Sequence, residues 1–370
     1  MSKRPACGAA VMAAPFLLLV TACATLDTTI PESWAPRVEL TETPFHAQLE
    51  HHCGPAALAT VLEAAGASPS YEALVDRIYV PGLEGSLQVE LLATTRHYHR
   101  IPFRVPGELE AVLAEVVAGR PVLILQNLGL PSRPIWHYAV VIGYDRDRGE
   151  ILMRSGEERV QVTRLRPWMR QWDWASRWAM VALRPGELPV RREFPPIVRA
   201  LADFDDHGSG HLRLQAWLAV ADYWPLEALA WMGVGNAHYS LGALAEAARN
   251  FETALQLQPD HWPARLNLAV VLLEQDHSCR GRDVLAARPM ASDHPWREVL
   301  GDLTERLERA CADQSADPVH PVFQGSSGSE LPWLEKTRLV CATAQSGRRQ
   351  TSILETHSTR QAGSVCRSST

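Results

Sequence analysis

The chain has 370 residues, 46% hydrophobic and 21% charged, a globular composition that excludes disorder over most of its length and suffices for two packed domains. A formal net charge of -6 gives no electrostatic reason to expect nucleic acid or an anionic membrane surface as partner. The cysteines, Cys7, Cys23, Cys53, Cys279, Cys311, Cys341 and Cys366, are odd in number and lack framework spacing, so no disulfide-stapled fold is specified, although an oxidising compartment would permit a bridge among the last four.

In chain order, Lys3 and Arg4 precede an apolar stretch that runs to Val20, and Val20-Thr21-Ala22-Cys23 follows. This has the form of a bacterial lipobox: residues 1–22 are expected to be a signal peptide, cleaved before Cys23, whose sulfur and amine are then acylated. The apolar stretch is too short for a permanent membrane span. Ala24, rather than an aspartate, points by analogy with enterobacterial sorting to the outer membrane. The expected location is therefore the cell envelope, lipid-anchored and facing the periplasm. Residues 23–44, with Pro31, Pro36 and Pro44, read as a lipidated tether.

A first domain is expected over 45–184. Ala57, Leu58, Val61, Leu62 and Ala65 recur at helical spacing and Gly66 stops the run, which predicts a helix that starts at Cys53. Gly54 and Pro55 suit a helix start, and Gly54 is expected to leave the backbone open to a substrate. The unpaired amides and positive end of that helix favour a thiolate at Cys53. Gln48, five residues earlier, can offer its side-chain amide beside the Cys53 N–H, giving two donors for an oxyanion. Further helices are expected near 70–78, 86–97 and 107–118, with strands at 101–105 and 122–126. Tyr138 to Tyr144 is an apolar run, residues 145–149 form a turn, and Ile151 to Met153 follow: a β-hairpin with His137 at its open end, where a base could meet Cys53. Trp168, Trp172, Trp174 and Trp178 are read as the edge of this core, which closes with a strand near 178–183. A zinc site built from His51, His52, Cys53, His97 and His99 would put adjacent ligands on one ion, a poor tetrahedral fit; no metal and no cofactor are expected.

These residues resemble the papain-like double-glycine cysteine peptidases that trim bacteriocin leader peptides. Gln48, the run from His52 to Leu58, and the run from His137 to Gly143 carry the likeness, which extends from about Phe45 to Leu183. It implies an α+β papain-like fold with Cys53 as nucleophile, His137 as general base and Gln48 as the oxyanion residue. The family's third member, an Asp, is replaced here by Ser155. With the hairpin turn centred on Asp147, the cross-strand partner of His137 falls near Glu157, with Ser155 on the same face; either could orient the imidazole. Asp145 lies about 26 Å along the strand and is too far.

A linker is expected over 185–196, then an all-α region over 197–310. Trp231, Gly235, Gly242, Ala247, Phe251, Ala254 and Pro259 follow the 34-residue tetratricopeptide pattern counted from Ala228, with degenerate neighbours near 197–224 and 262–290. Gly235, Ala247 and Ala254 should let paired helices approach closely. Residues 311–370, Ser/Thr/Arg-rich toward the end, read as a disordered tail.

The implied function is a cysteine peptidase acting on a peptide or protein substrate, with repeats that bind a protein partner. Two other readings stand beside it: a scaffold lipoprotein of weak or lost chemistry, to which Ser155 points, and a cell-wall amidase of the same broad fold.

Overall fold

The computed structural model describes residues 29–48, 51–294 and 296–316, without the side chains of 315 and 316. The signal peptide, Cys23 and the tail beyond 316 lie outside them.

The elements in order are β1 (Arg37–Glu39), α1 (Cys53–Ala64), α2 (Tyr71–Ile78), β2 (Tyr79–Val80), β3 (Gly85–Ser86), α3 (Gln88–His97), β4 (Ile101–Arg104), α4 (Leu109–Val117), β5 (Val122–Asn127), β6 (Trp136–Asp145), β7 (Glu150–Ser155), β8 (Glu158–Arg164), α5 (Leu165–Asp173), β9 (Ala179–Leu183), and then only helices: α6 (Phe194–Asp205), α7 (Gly210–Tyr223), α8 (Ala228–Ser240), α9 (Leu244–Leu257), α10 (Trp262–Glu274), α11 (Ser278–Ala286) and α12 (Arg297–Ala316). The main sheet is antiparallel in the order β4-β9-β5-β6-β7-β8, with β1 paired to the far end of β6. This is the α+β domain followed by helical repeats that the sequence implies.

Both faces of the sheet are covered, which is why β5 and β6 read as continuous apolar runs rather than alternating ones. Leu58 and Leu62 of α1, Leu74 of α2 and Leu91 of α3 pack on Leu123, Leu125, Tyr138, Val140 and Leu152. On the other face lie Val112 of α4, Trp168 and Trp172 of α5, Leu201 and Phe204 of α6, and Val220 of α7, against Ile124, Ala139, Val141 and Met153. The tryptophans at 168 and 172 are fully buried and stacked at 5.2 Å, deeper than the core edge the sequence suggested. The helical region shares this core, and Arg96 of α3 pairs with Asp203 of α6 at 2.8 Å.

Several expectations need correction. The tether of 23–44 is, over its described part, built into the fold: Arg37 pairs with Asp145 and Val38 with Tyr144, while Arg146 donates to the carbonyls of Pro31, Glu32 and Trp34. Its prolines suit an extended segment that lies against a sheet edge as well as they suit a loose one. The expected linker is fastened too: Arg120 donates to the Leu188 carbonyl at 2.7 Å, and the Val190 amide donates to Glu115. Helix α6 starts within it, at Phe194, because Pro195 and Pro196 fit a first turn. At the other end α12 runs through Ala316, beyond the expected start of the tail.

In the repeats, α8 and α9 form the expected pair. A Cβ at Gly235 would stand 2.5 Å from the Phe251 ring, so the helices meet there only because the residue has no side chain. Tyr239 donates to Glu274 at 2.6 Å, linking α8 to α10.

Candidate active site

Cys53 is the first residue of α1 and only 1% exposed. The chain reaches it through His51, held in the left-handed region at φ 61, and His52 at φ -98. A left-handed histidine is uncommon and turns the backbone sharply into the helix. Helix α1 is buried from Cys53 to Leu62, as expected of a helix apolar on all sides. Gly54 has a different role from the one expected: a Cβ there would meet Ser86 Oγ at 2.5 Å, so it lets α1 pack on β3 rather than opening the backbone to substrate. His52 packs edge-on against Tyr79 at 4.9 Å, and burial, then His51, holds its pKa below the usual imidazole value.

His137 enters β6 opposite Gln126 of β5. Its Nε2 lies 2.8 Å from Ser155 Oγ, the last residue of β7. Of the two candidate partners, therefore, Ser155 touches the imidazole. Glu157 lies in the β7–β8 turn and is exposed. A bulge between Val141 and Gly143 shifts the hairpin ladder by one from its turn end; beyond it Val140 pairs with Arg154, as a turn centred on Asp147 predicts. His137 is buried, which pushes its pKa down to about 4. At neutral pH it is an uncharged base whose partner is an uncharged hydroxyl.

Gln48 is fixed by its backbone amide, which donates to the Gly156 carbonyl at 2.9 Å. Gln48, Cys53, Tyr138, Arg154 and Ser155 line one small cavity whose free volume, about 10 Å³, is near the space of one water. His137 does not line it and reaches it through Ser155. Cys53 is disulfide-bonded in this structure, so thiol chemistry belongs to the reduced chain. A larger cavity, about 260 Å³, lies at the other end of α1, between Ala65, Gly119 and Arg184, away from the cysteine. Among the described residues no cluster of three potential metal ligands occurs.

The residue that sequence reasoning missed is Arg154. It is buried at 4% exposure, and its only sequence signal is a charge that interrupts the apolar run Ile151-Leu152-Met153.

Residues 40–162 match the Peptidase_C39 like family, and residues 238–300 match the tetratricopeptide repeat. Among solved structures, a candidate C39-like peptidase from Bacillus anthracis is similar at 19% identity and a TM-score of 0.34, over 40% of this chain and 98% of that one. The comparison with curated proteins found no match. The chain thus joins a region similar to the Peptidase_C39 like family, at 40–162, to one similar to the tetratricopeptide repeat, at 238–300.

Proposed function

We propose that the chain is a lipid-anchored periplasmic cysteine peptidase whose repeats hold a protein partner or the substrate itself. The observation that carries the reading is the 2.8 Å bond between His137 Nε2 and Ser155 Oγ, beside a cavity that Cys53 and Gln48 line. Ser155, which bonds His137 Nε2 and lines the cavity with Cys53, links the two groups that the chemistry needs, and in the reduced enzyme the imidazole takes the thiol proton across it. The sulfur then attacks the peptide carbonyl, the C–N bond breaks as His137 returns the proton to the leaving amine, and water hydrolyses the thioester. The Gln48 amide and the Cys53 N–H carry the oxyanion. The anchor is assigned to Cys23, and the outer membrane to Ala24, from the lipobox alone.

A second reading, a scaffold of weak chemistry, is favoured by the same site. A buried neutral histidine with a hydroxyl partner does not stabilise an imidazolium as a carboxylate would.

Reduction followed by iodoacetamide treatment near neutral pH separates the two. In the enzyme, Cys53 should label at least about tenfold faster than in His137→Ala, since the base takes the thiol proton. Equal, slow labelling of both proteins would assign the scaffold.

A further inference from the structure

Arg154 is a buried cation with no carboxylate within ion-pair distance among the described residues, an expensive placement unless its donors are fully used. They are used on backbone carbonyls. Nε and Nη2 donate to Thr43 O at 3.2 and 2.9 Å, Nη2 also to Thr41 O at 3.1 Å, and Nη1 to Arg159 O. Only a planar fork of five donors can hold such a set at once. The effect is to clamp the segment entering the site onto the β7–β8 hairpin. Further along, the same segment is tied down by the Gln48 amide on Gly156. Gln48 thus sits on a strap with two fastenings, both to the hairpin whose Ser155 holds His137.

We propose that Arg154 is a positioning residue for this site, fixing through the 41–48 strap where the Gln48 side-chain amide meets the developing oxyanion. The inference rests on the peptidase reading above. Arg154 lines the same cavity, but its donors are taken up by the carbonyls of Thr41, Thr43 and Arg159, so its route to the reaction runs through Gln48. A lysine at 154 keeps the charge but reaches one or two of the carbonyls, so the strap loosens and the amide is displaced. Oxyanion donors act by being placed in advance, and small displacements are expensive.

The probe is a short peptide aldehyde with a ¹³C-enriched carbonyl, added to the reduced full chain. Attack by Cys53 forms the S–C bond, the C=O becomes C–OH with the thiol proton, and the hemithioacetal is read by its ¹³C shift. Its oxygen occupies the oxyanion position, so affinity reports the Gln48 contact. Arg154→Lys is expected to weaken binding about tenfold when Gln48 is present and less than about twofold in a Gln48→Ala background, the pattern of a donor acting through another. Equal weakening in both backgrounds would make Arg154 merely structural and overturn the inference while leaving the peptidase reading intact. No hemithioacetal in the unsubstituted chain would remove that reading, and this inference with it. Should Arg154→Lys fail to fold by circular dichroism, Arg154→Gln, which keeps an amide donor, takes its place in the same comparison.

Discussion

Ser155 decides how strong a base His137 can be. A hydroxyl can orient the ring, but it contributes no charge to offset the burial that pushes His137 down to about 4. Wild-type labelling of reduced Cys53 should accordingly persist into mild acid and fall only as the pH drops through about 4, where the base is lost. Ser155→Asp puts an anion on Nε2, raises the histidine pKa, and should move that limb upward while speeding labelling about tenfold or more at neutral pH. A rate profile from pH 3.5 to 8 on both proteins checks this; superimposable profiles would mean that residue 155 is not coupled to the base. The same shift has a sign for stability. Because the folded pKa lies below the ordinary 6.5, the unfolded chain binds the extra proton between about 4 and 6.5, so the folded state loses up to about 3 kcal/mol as pH falls across that window.

At the level of elements, legibility followed burial. Helix α1, the β6–β7 hairpin and the α8–α9 pair could be read because their apolar residues recur at fixed periods and meet a core on one side or both. The strands β1 and β8 escaped for the opposite reason. Arg37-Val38-Glu39 offers one apolar residue, and β8, Glu158–Arg164, is an exposed edge whose Val160 and Val162 face solvent in part. Arg154 was hidden because no periodicity predicts a buried guanidinium, and only tertiary contact reveals the carbonyls it serves. The Cys279–Cys311 bond was equally outside the reach of spacing. It ties α11 to α12 across 32 residues of sequence, where Leu303 and Leu307 pack on Leu266, Ala269 and Leu285. Closing a loop of that size stabilises by about 3–4 kcal/mol in the chain-entropy view. Cys279→Ser/Cys311→Ser should therefore speed amide hydrogen exchange across 278–286 and 297–316 while leaving β5 to β8 unchanged. Loss of protection in the sheet as well would show that the capping helix supports the whole molecule.

For the molecule as a whole, β6 sets a direction. His137 stands at one end and Asp145 at the other, eight residues or about 26 Å along the strand. The chain enters the fold at the Asp145 end, where Arg146 grips the carbonyls of Pro31, Glu32 and Trp34. Ile30 is seven positions along the chain from Cys23, so a lipid on Cys23 would hold this end within about 24 Å of the bilayer. Of the exposed arginines there, Arg37 pairs with Glu39 and Asp145, Arg148 with Asp145 and Arg164 with Glu150, which leaves no net basic patch among the described residues of this end to pull the sheet flat onto lipid. An anchored molecule should then stand with its β6–β7 turn toward the membrane and the Cys53 cavity away from it. Fluorophores attached through azide-bearing residues at exposed Asp147 and exposed Glu157, on lipidated protein in vesicles, measure this directly. Energy transfer to acceptor-labelled headgroups should be clearly stronger from 147 than from 157. The reverse order would turn the site toward the bilayer and make membrane-bound peptides the natural substrates. Loss of vesicle association in Cys23→Ser, checked on the same preparations, ties either orientation to the lipid.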